Sequence, residues 1–85
     1  MKIYYESRFR RQYKKLLASV QDLAEEKEKL FRVNPFDPKL KTHKLHGKFR
    51  RFWAFWVDDV NRVIFKFISE NHVEFHQIGD HDIYD

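Results

Sequence analysis

The chain of 85 residues contains no cysteine, so a disulfide framework and a thiolate metal site are both excluded. Long apolar runs are also missing. The longest one, Phe52 to Val57, is far shorter than the roughly 20 residues that cross a bilayer, and the first residues lack the apolar core of a signal peptide. These absences predict a soluble, cytoplasmic protein without a membrane partner, built as a single domain over residues 1–85.

Acidic residues are absent from one stretch, Pro38 to Val57, although the chain has 13 of them and a net charge of +4. Cations, two histidines and several aromatic residues stand there instead. The six cations are Lys39, Lys41, Lys44, Lys48, Arg50 and Arg51. Cations neutralise phosphates and aromatic rings stack on bases, so this stretch indicates a ligand such as RNA. A solvated basic surface is the alternative that charge alone leaves open.

Hydrophobic periodicity predicts a strand followed by two helices. Ile3 to Tyr5 are good strand formers, and apolar residues then recur at spacings of three and four from Phe9 to Phe31. The pair Ser19 and Asp22 resembles a capping box, which places a break between two helices near Ala18. Asn34-Pro35 ends the second helix, because the residue before proline avoids the helical region.

Three strand candidates follow the basic stretch. They are residues Phe49 to Asp58, Arg62 to Ile68 and His72 to Ile78, with turns between them. Alternation in the second candidate places Val63, Phe65 and Phe67 on the core side. The pattern predicts an α+β fold, in which a helical hairpin packs on one face of a small antiparallel sheet. That sheet comprises the N-terminal strand and the three C-terminal strands, and its other face is free to carry function.

RNA cleavage is the chemistry that these residues suit best, because the ribose 2′-hydroxyl is the nucleophile and the protein supplies a base, an acid and a charge stabiliser. Arg62 begins a strand on the face opposite the core, where it suits a phosphate. The alternative is an edge arginine paired with an aspartate. His81 and Tyr84 offer a proton donor and a stacking ring. The alternative interpretation is that both residues belong to a frayed chain end without a function. No metal site is expected, because carboxylates at ligand spacing are missing.

Four segments resemble the RelE/ParE toxin superfamily, in the RelE and YafQ branch of bacterial type II toxin-antitoxin systems. They are the connector Pro35–Lys48, the strand Trp53–Val57, the arginine-led strand Asn61–Phe65 and the closing motif Ile78–Tyr84. The resemblance implies a RelE-like fold and a metal-independent endoribonuclease without cofactors. Such an mRNA interferase cuts messenger RNA, often on the ribosome, by attack of the 2′-hydroxyl. The implied protein partner is a cognate antitoxin that covers the basic face.

The resemblance also assigns roles to individual residues. Arg62 matches the arginine that holds the scissile phosphate, and His81 matches a residue that acts as an acid or phosphate contact. Tyr84 falls where members place an aromatic that stacks on the substrate, and His43 matches a catalytic connector histidine. The predicted RNA-binding residues are Lys44, His46, Lys48, Arg50 and Arg51.

The chain departs from the family pattern at a few positions. Trp56 stands where many relatives carry a polar or basic residue, and Asn61 where an aromatic precedes the arginine. Trp53 and Phe55 occupy the positions of the catalytic lysines of RelE. The alternative function is that of ParE-like members, which share the fold but poison DNA gyrase by protein contact. These members tend to lack the closing histidine and tyrosine, so the closing motif favours the nuclease.

Overall fold

The computed structural model describes residues 1–84, which form five strands and two α-helices. The strands are β1 (Lys2–Tyr5), β2 (His43–Lys44), β3 (Trp53–Trp56), β4 (Arg62–Ser69) and β5 (His72–Gly79), and the helices are α1 (Ser7–Lys14) and α2 (Ala18–Val33). Short 3₁₀ helices occupy Pro38–Leu40, Gly47–Phe49 and His81–Tyr84. The predicted α+β class is confirmed.

The five strands form one sheet in the order β1-β5-β4-β3-β2. The C-terminal strands are antiparallel as predicted, but β1 runs parallel to β5 with Ile3 opposite Val73, so the sheet is mixed. The prediction of a wholly antiparallel sheet is wrong here, because the long chain between β1 and β5, which includes both helices and three strands, lets β5 return beside β1 in the same direction. The connector adds the short strand β2 beside β3.

The helical region breaks after Lys14, close to the predicted position. The predicted capping box does not form, because α2 begins at Ala18 and its N-cap residue, Leu17, makes no side-chain capping bond. Instead the Gln21 side chain donates to the Tyr13 carbonyl over 2.8 Å and ties the two helices together. Within residues 1–84, neither helix has the length and apolarity needed to cross a membrane.

Aromatic side chains fill the core between the helices and one side of the sheet, called the helix face below. Phe31 of α2 is fully buried, and its ring centroid lies 5.2 Å from that of Phe55, 4.9 Å from Phe65 and 5.4 Å from Phe75. Phe67 lies on the helix face as predicted, because its ring centroid is 5.2 Å from that of Phe65 and 5.7 Å from that of Trp53. Its side chain is nevertheless 38% exposed, so it is a partly exposed neighbour of the core.

The reverse side of the sheet, called the open face below, is partly covered. Ala54 and Ile64 pair across β3 and β4 and are fully buried, although neither belongs to the core of the helix face. The last 3₁₀ helix supplies the buried Ile83, and Tyr84 packs edge-on against Phe49 with centroids 6.2 Å apart. Two short segments distant in sequence therefore meet over one end of the open face, which is only partly covered.

Candidate functional site

Arg62 begins β4 at the edge of the open face, and backbone carbonyls fix its guanidinium. Its Nη1 donates to the carbonyls of Asp58 and Asn61 over 2.6 and 3.1 Å, and its Nη2 donates to the Asp59 carbonyl over 3.0 Å. An arginine carries five N–H donors, so two remain for a ligand. Two donors are enough for the forked contact that arginine makes with a phosphate.

The turn between β3 and β4 supplies these carbonyls, and the side chain of Asp58 shapes it. Asp58 Oδ1 accepts hydrogen bonds from the backbone N–H groups of Val60 and Asn61 over 2.8 and 2.6 Å. Burial opposes ionisation of this carboxyl, but the bonds from Asn61 and Val60 outweigh burial and hold its pKa below the usual value. The ionised carboxylate therefore stabilises the turn that orients Arg62.

A depression of about 380 Å³ lies beside Arg62 and is called the Arg62 depression below. Its lining residues are Asp59, Val60, Arg62, His81 and Tyr84. Three of the four predicted catalytic residues therefore share one concave surface. The His81 side chain is 88% exposed, so its imidazole is accessible to a ligand.

Tyr84 forms the more enclosed wall of the Arg62 depression. Burial raises the pKa of its phenol, and the charge of Arg62 only partly offsets this effect. Tyr84 therefore keeps its proton at neutral pH, so it is a hydrogen-bond donor and a flat stacking surface. Its ring is held from behind by Phe49.

His43, the fourth predicted catalytic residue, lies on the same open face two strands away. His43 of β2 pairs with Ala54 of β3, and Trp56, two residues further along β3, pairs with Arg62 of β4. Strand spacing therefore places the Cα atoms of His43 and Arg62 roughly 12 Å apart. The side chain of His43 is exposed, and its Nδ1 lies 2.9 Å from the Lys41 carbonyl. A carbonyl only accepts, so Nδ1 carries the proton and Nε2 of neutral His43 is left as a free base.

Trp56 lies between these two groups and contacts two cations. The guanidinium carbon of Arg62 is 3.7 Å from the centroid of the indole, and the ammonium of Lys41 is 4.0 Å from it. Trp56 departs from the family pattern and has no predicted role, and the structure shows that it pairs with Arg62 across β3 and β4. No sequence signal singles out Lys41 among the connector lysines.

The predicted RNA-binding residues do not gather at one point. Lys44 pairs with Trp53 and its ammonium lies 5.3 Å from that indole, so it belongs to the helix face rather than the open face. The Lys48 ammonium lies 5.4 Å from the Phe49 ring, next to the Tyr84 side of the Arg62 depression. The remaining three, His46, Arg50 and Arg51, are exposed along the connector.

A second group of titratable residues lies on the open face near β1. His76 stacks on Phe52 with centroids 4.6 Å apart and is hydrogen-bonded to Glu6. A hydrogen bond with Glu6 and burial raise the pKa of Glu74, whereas the pKa of Glu6 is lowered, because its bonds to Glu74 and His76 outweigh the effect of burial. Within residues 1–84, no three histidine, cysteine or acidic residues are arranged to hold a metal ion.

Comparison with solved structures places the fold among bacterial toxins. No protein-family profile matches the sequence, and no curated protein matches it. A YoeB/ParE toxin from Agrobacterium tumefaciens superimposes with a TM-score of 0.80 at 18% identity, covering 95% of this chain and 99% of that one. YafQ from E. coli gives a TM-score of 0.78 at 19% identity over 98% of this chain and 96% of that one.

Toxins bound to antitoxins also share the fold. The E. coli DinJ-YafQ toxin-antitoxin complex matches with a TM-score of 0.75 at 19% identity, covering 96% of this chain and 93% of that one. The fold is thus that of the YoeB, YafQ and ParE toxins, as the resemblance to the RelE/ParE superfamily implied. At these identities the likeness establishes the fold, and function has to be argued from the site.

Proposed function

We propose that this protein is the toxin of a type II toxin-antitoxin system and that it cleaves messenger RNA in the cytoplasm, on the ribosome, without a metal. The observation that carries the proposal is the Arg62 depression, in which a guanidinium, an imidazole and a protonated phenol line one surface. The shared fold of the YoeB and YafQ toxins supports the same conclusion.

The proposed reaction begins at His43. Its free Nε2 takes the proton of a ribose 2′-hydroxyl, and the resulting oxygen attacks the neighbouring phosphorus. The bond from phosphorus to the 5′-oxygen breaks, and this oxygen takes a proton from His81. The products are a 2′,3′-cyclic phosphate and a 5′-hydroxyl.

Arg62 and Tyr84 stabilise the reacting phosphate in this proposal. The two remaining N–H donors of Arg62 contact the equatorial oxygens, where negative charge develops in the transition state. Because backbone carbonyls already orient the guanidinium, it needs no reorganisation when substrate binds. Tyr84 stacks on a base beside the scissile bond, and its phenolic O–H donates a hydrogen bond to a phosphate oxygen.

A cognate antitoxin is the proposed protein partner. The DinJ-YafQ and YoeB-YefM structures are complexes of toxins with antitoxins. For this chain, an acidic segment of the antitoxin suits the stretch from Pro38 to Val57, which carries six cations and no acid. Such a segment would cover the cations that RNA needs.

Induction of the chain without an antitoxin tests the proposal. We expect growth arrest and discrete cuts in transcripts at codons that ribosomes occupy. Arg62→Ala and His81→Ala should each lower cleavage at least a hundredfold, the loss typical of removing a preorganised charge donor or a general acid. Circular dichroism should show both variants folded. Arg8→Ala and His72→Ala, matched in residue type and away from the Arg62 depression, should remain toxic.

Two results would refute the proposal. Full toxicity of both Arg62→Ala and His81→Ala would show that the Arg62 depression takes no part in the activity. DNA breaks that depend on gyrase, without RNA cuts, would select the ParE-like function instead.

A further inference from the structure

We propose that Lys41 binds a second phosphate of the RNA strand, next to the phosphate that Arg62 holds, so that the site takes two successive phosphates. This inference rests on the proposed function and adds a binding residue that the sequence did not identify. Trp56 is the spacer that sets the distance between the two cations.

The first argument is the geometry around Trp56. The Lys41 ammonium and the Arg62 guanidinium lie within about 8 Å of each other, because they are 4.0 and 3.7 Å from the same indole centroid. This upper bound admits the spacing of two successive phosphates in a sugar-phosphate backbone, in which every linkage carries one negative charge. No other lysine of the connector contacts Trp56 among the described residues.

The second argument is charge balance. Among the ion pairs formed by residues 1–84, none involves Lys41 or Arg62. Two cations that are close together repel each other, and the Asp58 carboxyl near Arg62 and the indole of Trp56 compensate this repulsion only in part. An anionic ligand would remove it. A chain with two adjacent phosphates neutralises both charges at once.

The third argument is the backbone of Lys41. Its φ of 51° and ψ of 38° lie in the left-handed region, and it is the only residue of the described chain, glycines aside, with positive φ. Lysine adopts this conformation reluctantly, whereas glycine and asparagine adopt it readily. Strained backbone of this kind concentrates at binding sites. Here it directs the ammonium over Trp56 and the carbonyl toward Nδ1 of His43.

Lys41→Asn is the decisive variant, because asparagine keeps the left-handed backbone and the bond to His43 while removing the charge. We would measure its affinity for a short fluorescent 2′-O-methyl oligoribonucleotide, which cannot be cleaved, over a range of salt concentrations. Losing one phosphate contact should lower the slope of log affinity against log salt by about 0.7. Affinity at low salt should fall roughly tenfold. The melting temperature should stay within about 4 °C of the wild type.

Two further variants make the test specific. Lys41→Arg keeps a cation and should restore the salt slope. Lys15→Asn removes one positive charge from the end of α1, on the helix side of the sheet, and should leave the slope unchanged. An unchanged slope in Lys41→Asn would overturn the inference while leaving RNA cleavage by the Arg62 depression intact. A wild-type protein that fails to bind the oligonucleotide and to cleave RNA would overturn both.

Discussion

At the residue scale, the guanidinium of Arg62 is held by both backbone and side-chain contacts. The turn provides three carbonyls, Asp58 stabilises that turn, and the indole of Trp56 covers the guanidinium. A guanidinium held in this way is oriented before substrate arrives, which lowers the free energy of reaching the transition state. Misorienting it by about 1 Å can lower a rate by about a hundredfold.

Asp58→Ala should therefore weaken both the fold and the activity. Losing the two backbone bonds to its carboxylate should lower the free energy of unfolding by about 1–2 kcal/mol. Cleavage should fall about tenfold or more, because the carbonyls that hold Arg62 shift. Urea unfolding and RNA cleavage assays measure the two effects. Asp59→Ala is the stability control, since the Asp59 carboxylate accepts no hydrogen bond from the described residues.

The effect of Asp58 on stability should depend on pH. Its pKa in the folded protein is lowered, so its contribution is fully present above the unfolded-state pKa of about 4 and is lost as pH falls through the folded-state pKa. The stability difference between wild type and Asp58→Ala should be largest at pH 7 and shrink below about pH 4. A difference that stays constant down to pH 3 would show that the ionised carboxylate is not what holds the turn.

At the same scale, sequence reasoning reached some site residues and not others. Arg62 could be predicted, because alternation along β4 and the turn before it fix the face on which it lies. His81 and Tyr84 could be proposed from their chemistry as a proton donor and a stacking ring, and the resemblance to a family motif added their individual roles. Lys41 could not be predicted, because its position over Trp56 depends on a left-handed backbone that lysine does not favour.

At the scale of elements, the closing 3₁₀ helix joins the sheet through Gly79 and Ile83. A Cβ atom built on Gly79 would lie 2.8 Å from Cγ2 of Ile83, so glycine is required for this close approach. Ile83 is buried, whereas His81 and Tyr84 on the same helix face the Arg62 depression. The apolar contact of Ile83 therefore positions both of these side chains, for which we propose roles in RNA cleavage.

Gly79→Ala should displace this helix and lower cleavage at least tenfold, while overpacking lowers the free energy of unfolding by about 1–3 kcal/mol. Ile83→Leu removes the Cγ2 methyl but leaves the backbone strain of an alanine at a φ of +159°, so the double variant Gly79→Ala/Ile83→Leu should regain only part of the lost cleavage. RNA cleavage assays and thermal melting of the three proteins provide the comparison. Wild-type cleavage by Gly79→Ala alone would mean that the position of the closing helix does not matter.

The elements themselves were largely predictable. Period-three and period-four patterns gave the helices, and alternating aromatic strands separated by turns gave β3, β4 and β5. The parallel pairing of β1 was missed, because four residues beginning a chain carry no signal of the strand that they will join. The strand β2 was missed because His43 and Lys44 are polar, and their strand conformation depends on pairing with β3.

At the scale of the whole molecule, the sheet separates two tasks. The helix face holds the aromatic core that stabilises the fold, and the open face carries Arg62, His43 and Trp56 with the closing helix over one end. Substitutions of Arg62, His43 and Trp56 should therefore change activity more than stability. Core truncation should do the opposite: Phe31→Ala, which removes a fully buried ring, should cost about 3–5 kcal/mol of unfolding free energy.

The chemistry of the RNA ends tests the central claim most directly. Purified protein, with ribosomes and messenger RNA in the presence of a metal chelator, should leave a 2′,3′-cyclic phosphate on the upstream fragment and a 5′-hydroxyl on the downstream one. A single 2′-deoxynucleotide at the cut position should abolish cleavage there. Fragments ending in a 3′-hydroxyl and a 5′-phosphate, or cutting that continues at the 2′-deoxynucleotide, would contradict cleavage by the 2′-hydroxyl at the Arg62 depression.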